Sequence, residues 1–416
     1  MSRILLGVSG GIAAYKAAEL LRRLKESGSA GEGHDVTVVP TDAALRFVGA
    51  PTWEALSGHP VSTDVFSDVD SVRHVSLGRQ AELVIIAPAT ADLLARAATG
   101  RADDLLTSCL LTASCPVIFA PAMHTEMWQH PATRANVDTL RSRGAIVVDP
   151  ASGRLTGADS GAGRLPEPDE LATIARTVLA EPSIAAAAAR RDLAGLRVVI
   201  SAGGTHEPID PVRFVGNASS GRMGWALARA AVLRGAEVEL VAANVALPDP
   251  AGVVVRAATT TRDLQEQVSK AADGADIVVM AAAPADFRPA AEQPGKIKKA
   301  SSDQGLELSL VQNPDILAGL VRGRTDERQV LVGFAAETAG TPAELINLGR
   351  EKLARKGCDL LVLNAVGHGK VFGRLDSEIR IIRQTDAAAE PPALAGSKDV
   401  LAHHILDGAL QIRAER

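Results

Sequence analysis

Short, continuous apolar runs, each halted by glycine, proline, asparagine or threonine, dominate this chain. "RILLGV", "DVTVVPT", "AELVIIAPAT", "CPVIFAPAM" and "AIVVDP" punctuate the first 150 residues. "LRVVISAGGT", "EVELVAAN", "DIVVMAAAPAD", "QVLVGFAAE" and "DLLVLNAV" punctuate the rest. Runs without polar alternation suit strands covered on both faces. Helical stretches separate them; after the first run, Ala14, Ala17, Ala18, Leu21 and Leu24 recur at helical spacing. Strands alternating with helices predict an α/β fold of two Rossmann-like (flavodoxin-like) domains, each with a doubly wound parallel sheet. The strand–turn–helix pattern starts at "RILLGVSGG" and restarts at "LRVVISAGG", repeating the architecture but not the sequence. Between the halves lies "AEPSIAAAAARRDLAG", whose low complexity and Pro182 predict a helical or flexible connector. The expected division is 1–180, a linker over 181–195, and 196–416.

Composition narrows the function classes. Of 416 residues, 46% are hydrophobic but only 3% aromatic, so alanine, valine and leucine must fill the interior. The net charge of −5, with no long basic block, argues against a nucleic-acid partner. Cys109, Cys115 and Cys358 form no CxxC pair and no disulfide framework; Cys109 and Cys115 read as core. No apolar run reaches the roughly 18 residues of a membrane span, and no cleavable apolar leader is recognisable. A cytoplasmic protein without a membrane partner is expected.

In doubly wound folds ligands bind beyond the carboxyl ends of the strands. Those positions are Ser9–Ile12, Pro40–Asp42, Pro88–Thr90 and Pro121–His124 in the first half. In the second they are Gly203–Thr205, Ala243–Asn244, Ala282–Asp286 and Phe334–Glu337. "GVSGGIAAYK" places glycines and a serine where a helix begins, a setting that holds phosphate. A full GxGxxG is absent, and no acid directly ends the second strand, although Asp42 is near. This favours a mononucleotide or flavin phosphate over NAD. Taken alone, the loop reads equally well as a plain glycine turn. "PAMHTEMWQHP" offers His124, Glu126 and His130 as metal ligands. In a helix, residues 124 and 130 would point about 240° apart, and Pro121 and Pro131 bracket too short a segment, so the metal reading fails. Met127 and Trp128 read as packing residues.

"SGGIAAYK", "HVSLG", "APATADLLA", "ADDLL" and "PAMHTEMW", in this order, closely resemble the flavin mononucleotide (FMN)-dependent cysteine decarboxylase family, over residues 3 to about 170. The resemblance implies FMN held by Ser9, Gly10, Gly11, Ile12, Thr41, Pro88, Ala89 and Thr90. The flavin there oxidises the thiol side to a thioaldehyde, which accepts the charge left by CO₂, and then returns its electrons. His74 maps onto the family's base near the substrate sulfur, a role suited to a pKa near ~6.5. His124 occupies the place of an asparagine that grips the substrate carboxylate, and an imidazole N–H can also donate there. Thr156, in the flap "GRLTGADSGAGRL", falls closest to the place of a proton-donating cysteine. That leaves the last proton to Asp159, a bound water or His124.

"SAGGTHEPIDPVRFVGNASSGRMG", "AAAPADFRP", "GKIKK", "LVQNPDIL", "VGFAAET" and "REKLARKGCDLLVLN" resemble the phosphopantothenate–cysteine ligase family, over residues 196 to about 385. Gly204 and His206 depart from the commoner "GPTREP". Both halves in one chain resemble the bifunctional family of bacterial coenzyme A synthesis. The substrates implied are 4′-phosphopantothenate, cysteine and CTP, with Mg²⁺ accompanying CTP and no fixed protein metal site. An acyl-cytidylate forms, pyrophosphate leaves, and cysteine's amine attacks. Lys296 maps to the catalytic lysine on a loop shared with Lys298 and Lys299. Asn217 maps to the residue that stabilises the acyl-cytidylate or its attack. Ala281, Ala282 and Asp286 map to nucleotide contacts. Pro314, Asp315, Ile316, Leu317 and Phe334 map to the base and ribose pocket. Lys352 and Lys356, at i and i+4, map to phosphate contacts. Arg213 lies in the segment that approaches a partner subunit. The implied assembly is a homo-oligomer, a dodecamer of decarboxylase trimers joined by ligase dimers. Without the resemblance, "KIKK" reads as an edge-strand guard and "EKLARK" as a solvated helix. Two rival readings are a nicotinamide oxidoreductase, opposed by the missing GxGxxG, and a non-catalytic flavoprotein subunit, opposed by the linked ligase half.

Overall fold

The computed structural model describes residues 1–26, 33–64, 72–154, 159–298, 306–365, 376–384 and 390–416. The chain divides into two compact units, Met1–Asp192 with Pro250–Gly252, and Leu193–Asp249 with Val253–Arg416.

The first unit begins with β1 (Arg3–Val8), α1 (Ala14–Lys25), β2 (Asp35–Pro40), α2 (Asp42–Leu45), α3 (Ala50–Ser57) and α4 (Arg73–Gln80). It continues with β3 (Leu83–Ala89), α5 (Ala91–Thr99), α6 (Leu105–Thr112), β4 (Val117–Pro121), α7 (Thr125–Gln129) and α8 (Pro131–Ser142). It ends with β5 (Ile146–Val147), β6 (Ala151–Arg154), β7 (Ser160–Arg164), α9 (Pro168–Ala180) and α10 (Pro182–Arg190). Five parallel strands lie in the order β2-β1-β3-β4-β5, the flavodoxin-like arrangement. All seven residues of β3 are buried, which explains why its sequence shows no polar alternation. An antiparallel hairpin, β6–β7, stands apart from this sheet.

The segment expected as a linker is largely a helix of the first unit. Pro182 pre-forms the first turn of α10, and Ile184, Ala185, Ala187 and Ala188 are buried. Alanine's high helix propensity lets so short a segment order once it has a face to bury. Leu193, fully buried, already belongs to the core of the second unit.

The second unit begins with β8 (Arg197–Gly203), β9 (His206–Pro208), β10 (Phe214–Gly216), α11 (Arg222–Leu233), β11 (Glu237–Ala243) and β12 (Val253–Ala258). There follow α12 (Thr261–Ala272), β13 (Ile277–Met280), β14 (Phe287–Pro289), β15 (Leu310–Gln312), α13 (Ile316–Gly323) and β16 (Val330–Glu337). It ends with α14 (Pro342–Lys356), β17 (Leu360–Ala365), β18 (Asp376–Arg383), β19 (Leu394–Ser397) and α15 (Lys398–Ala414). The main sheet runs β12-β11-β8-β13-β16-β17-β18-β19. Its first six strands are parallel, with the winding reversing between β8 and β13. The sequence led to the expectation of a parallel sheet, and this holds for these six strands, but β18 and β19 return antiparallel. "DSEIRIIR" mixes isoleucine with charge, as strands toward an open edge do. Gly224 lets α11 lie directly on β8, since an added Cβ would sit 2.4 Å from that of Ala202.

Candidate functional site

In the first unit the winding reverses between β1 and β3, and the residues after these strands meet there. The Ser9 hydroxyl donates to the Pro88 carbonyl (2.7 Å) and accepts from the Thr90 amide (2.9 Å). The Thr41 amide donates to the Val8 carbonyl (2.9 Å), while its hydroxyl caps α2 at the Ala44 amide. Thr90 caps α5 at the Leu93 amide. Gly10 is required by the close approach of α2, because a Cβ would fall 2.3 Å from that of Ala43. The first turn of α1 carries no acidic residue, so the positive end of its dipole suits an anion. Ser9, Gly10, Gly11, Thr41, Pro88, Ala89 and Thr90 thus line one crossover, with Ile12 exposed beside it. A glycine cradle at the N-terminus of α1 fits the phosphate of a flavin nucleotide.

His74 lies on α4, and its Nδ1 is buried with no partner among the described residues. The helix is fixed against α6: the Thr112 hydroxyl donates to the His74 carbonyl (2.9 Å). At Gly78 a Cβ would meet the Thr112 hydroxyl at 2.0 Å. His124 is exposed, opens α7 and caps nothing with its side chain. Strand β7 clamps its flank, since the Met123 amide donates to the Gly163 carbonyl (3.0 Å) and a Cβ on Gly163 would fall 2.2 Å from the Met123 carbonyl oxygen. Thr156 lies outside the described residues, whereas Asp159 is exposed at the foot of the same hairpin. His130 Nδ1 accepts from the Ala132 amide and caps α8. Among the described residues no group of His, Cys, Asp or Glu could hold a metal ion. Trp128 is buried with the Arg134 guanidinium 4.7 Å above its ring, but Met127 is exposed. Burial pushes the Cys109 thiol up to about 12 and raises that of Cys115, so neither is a ready nucleophile.

In the second unit the loops after β8 and β13 converge in the same way. Ala283 donates to the Gly203 carbonyl (2.7 Å), and the Asn217 amide group donates to the Pro284 carbonyl (2.9 Å). Asn217, Ala281, Ala282 and Asp286 therefore share one strand end. The Asp286 carbonyl accepts from the Asn313 amide (2.8 Å), which draws Pro314 and Asp315 to the same place. Ile316 and Leu317 open α13 with side chains in the core, 3% and 9% exposed. Their apolar character serves packing, which leaves their backbone for a ligand. Phe334, half-buried, lies on β16, next to β13 in the sheet.

The two lysines mapped to phosphates already have carboxylate partners. Lys352 pairs with Glu337 (2.7 Å) and Lys356 with Asp315 (2.5 Å). Burial would raise the Asp315 carboxyl, but Lys356 and the Ala318 amide outweigh it and hold the group below its usual range. Lys296 is exposed on a segment gripped through its neighbour. The Ile297 amide donates to Asp210 (3.1 Å), and the Ile297 carbonyl accepts from Arg213 (3.2 Å). Asp210 also accepts from the Val212 and Arg213 amides, at 2.8 Å each. Burial would raise its carboxyl, yet these amides and the Arg213 charge lower it. Lys298 is exposed; Lys299 lies outside the described residues. Asp210, Glu207, Thr261 and Asn313 are site-supporting residues that sequence reasoning passed over. Their signal was polar character in segments that the strand ends require to be buried.

The flavoprotein family matches residues 1–179. The family described as "DNA/pantothenate metabolism flavoprotein C-terminal domain" matches residues 193–412. The coenzyme A biosynthesis bifunctional protein CoaBC of Mycobacterium tuberculosis is 54% identical, covering 99% of this chain and 97% of the relative. Its namesake from Bacillus subtilis is 40% identical over 94% of this chain and 93% of the relative. A solved C-terminal domain of CoaBC is 31% identical, covering 54% of this chain and 97% of that one, with a TM-score of 0.43. Two strand-end crossovers, each matched by its own family model within one chain, place this protein in the family of bifunctional coenzyme A biosynthesis enzymes, which join a flavoprotein half to a pantothenate-metabolism half.

Proposed function

We propose that residues 1–180 form an FMN-binding phosphopantothenoylcysteine decarboxylase and that residues 196–416 form a CTP-dependent phosphopantothenate–cysteine ligase. The ligase half couples 4′-phosphopantothenate to cysteine through an acyl-cytidylate, and the decarboxylase half converts the product to 4′-phosphopantetheine. The observation that carries this reading is the pair of strand-end crossovers, the first a glycine cradle and the second bordered by a gripped lysine loop.

In the first unit, Ser9, Gly10, Gly11, Thr41 and Pro88–Thr90 hold the cofactor, with Ile12 against it. Bound FMN supplies the two-electron oxidation and its reversal. His74 on α4 serves as the base that accepts the substrate's thiol proton. His124 donates to the substrate carboxylate until CO₂ leaves. The last proton reaches the product from Asp159, a bound water or His124, with Thr156 in the same flap.

In the second unit, Lys296 neutralises charge on the departing pyrophosphate, an electrostatic role that rigid placement strengthens. Asn217 stabilises the acyl-cytidylate. Ala281, Ala282, Asp286, Pro314, Asp315 and Phe334 meet the nucleotide, the backbone at Ile316 and Leu317 adds donors, and Lys352 and Lys356 exchange carboxylate for phosphate. Mg²⁺ enters with CTP.

We read the protein as cytoplasmic; no single helix among the described residues is long and apolar enough to cross a membrane. A homo-oligomer, with trimers of the first unit and dimers of the second combining to a dodecamer, agrees with exposed apolar side chains in both. They are Ile12, Tyr15 and Leu111 in the first unit, and Val212, Phe214, Phe287 and Leu310 in the second.

Purified protein should be yellow. Given 4′-phosphopantothenate, cysteine, CTP and Mg²⁺, it should release pyrophosphate and CO₂ in equal amounts. Pyrophosphate alone would refute the decarboxylase assignment, and oxidation of NADH with neither product would refute both.

A further inference from the structure

Beneath the nucleotide loops of the second unit lies a buried polar cluster that the reaction as described does not use. Glu207, 2% exposed, sits on β9 with its carboxylate at the N-terminus of α12. Its Oε1 accepts from both the amide (2.9 Å) and the hydroxyl (2.8 Å) of Thr261, itself fully buried. An ionised carboxylate only accepts, so it fixes the Thr261 hydroxyl as a donor. The Thr261 oxygen is then free to receive two further groups. These are the Thr205 hydroxyl at 2.9 Å and the Asn313 amide group at 3.3 Å. With its own proton committed, Thr205 accepts from the Ala285 amide at 2.8 Å, and Asn313 also donates to the Ala285 carbonyl at 2.9 Å. Glu207 thus sets the direction of the Thr261–Thr205 hydroxyl bond, and the backbone and Asn313 amide groups, whose roles are fixed, extend the chain from there.

The relay ties together the segments that carry the proposed site. Thr205 ends the loop after β8, Ala285 immediately precedes Asp286, and Asn313 immediately precedes Pro314 and Asp315. Glu207 lies on the β9–β10 hairpin, whose turn supplies the Asp210 and Arg213 that grip the lysine loop. We propose that Glu207 is a positioning residue of the ligase reaction, acting through Thr261 to fix Asp286 and Pro314–Asp315 for the nucleotide. This inference rests on the CTP-ligase reading above. Fixed donors and acceptors raise affinity and rate because no ordering remains to be done when the ligand arrives.

The test uses the full chain with Glu207→Ala, Glu207→Gln, Thr261→Val and Thr261→Ser. Steady-state pyrophosphate release gives kcat and KM for CTP. CO₂ release from supplied 4′-phosphopantothenoylcysteine checks that the rest of the molecule is intact. Glu207→Ala and Thr261→Val should raise the CTP KM roughly tenfold or more, as expected when a buried hydrogen-bonded pair is broken, with CO₂ release unchanged. Thr261→Ser, which keeps the hydroxyl, and Glu207→Gln, which keeps an acceptor oxygen, should recover most of that loss. An unchanged CTP KM in Glu207→Ala and Thr261→Val would overturn the inference while leaving the ligase reading standing. So would failure of Thr261→Ser to recover it. Wild-type protein that neither binds CTP nor releases pyrophosphate would overturn the ligase reading and this inference with it.

Discussion

At the scale of single residues, His403 shows how burial sets a pH limit. It is 2% exposed on α15, and its Nδ1 has no partner among the described residues. Burial, followed by the charge of Arg234, lowers its pKa from 6.5 to about 3. The unfolded chain therefore takes up this proton near pH 6.5, and the folded chain only near 3. Between those values the unfolded state binds more protons, so stability falls as the pH falls. At pH 5 the loss is about 2 kcal/mol, at 1.36 kcal/mol per pH unit. His403→Leu should remove this slope. The urea midpoint of wild type should drop more than that of the variant between pH 7 and 5. His124 makes a prediction of a different kind. It caps nothing, so its conservation of fold should be dispensable while its chemistry is not. His124→Ala should cut CO₂ release roughly a hundredfold with the melting temperature unchanged, the usual scale of a lost proton-handling group. His124→Asn should restore carboxylate binding, seen as a lower KM than that of the alanine variant.

At the scale of elements, the loops are held by close approaches and buried carboxylates. Gly163 carries β7 against the segment leading to His124, and a Cβ there would fall 2.2 Å from the Met123 carbonyl oxygen. Gly163→Ala should push the hairpin away and lower CO₂ release, while CTP-dependent pyrophosphate release continues. Asp210 holds the lysine segment, and its lowered pKa defines when. Its contribution is present above the ordinary carboxylate value of 3.8 and is lost as the pH falls through the lower folded value. Asp210→Asn should imitate that loss at neutral pH. Faster protease cleavage between Gln293 and Lys298, with a higher CTP KM, would be the signature. These elements also show what could be read from sequence. Strand ends were legible because seven buried residues in a row, as in β3, leave no other periodicity. The first crossover was legible for the same reason, since Ser9, Thr41 and Thr90 directly follow or end such runs. The burial of Ile316 and Leu317 was not, because a motif names residues without saying which way they face. Lys352 and Lys356 were legible as a pair on one helix face, but not their partners Glu337 and Asp315, which lie 15 and 41 residues away. Glu207 and Asp210 stayed hidden because a polar residue on a short hairpin gives only a weak sign of its burial, and its partners Thr261 and Ile297 lie 54 and 87 residues away.

At the scale of the whole chain, each unit has its own interior. One apolar cluster joins Leu5, Ile86, Leu106 and Phe119 in the first unit. Two others lie in the second, around Ile200, Leu227 and Ile405 and around Leu264, Leu331 and Leu353. Each of these three clusters, as far as the described residues go, draws from one unit alone, so each unit has an apolar core of the kind that an independent folding unit needs. If FMN belongs to the first unit and CTP to the second, each ligand should stabilise only its own. A ligand at a hundred times its Kd adds about 2.7 kcal/mol to the state that binds it. For units of this size that raises the melting temperature by roughly 5–10 °C. Scanning calorimetry of the intact protein should therefore show two transitions. Added FMN should move one of them, and CTP with Mg²⁺ the other. Substitutions should separate in the same way: Gly163→Ala should lower only the transition that FMN moves, and Glu207→Ala only the one that CTP moves. A single transition displaced by either ligand would mean that the two interiors unfold as one, and the assignment of one ligand to each unit would need a different test.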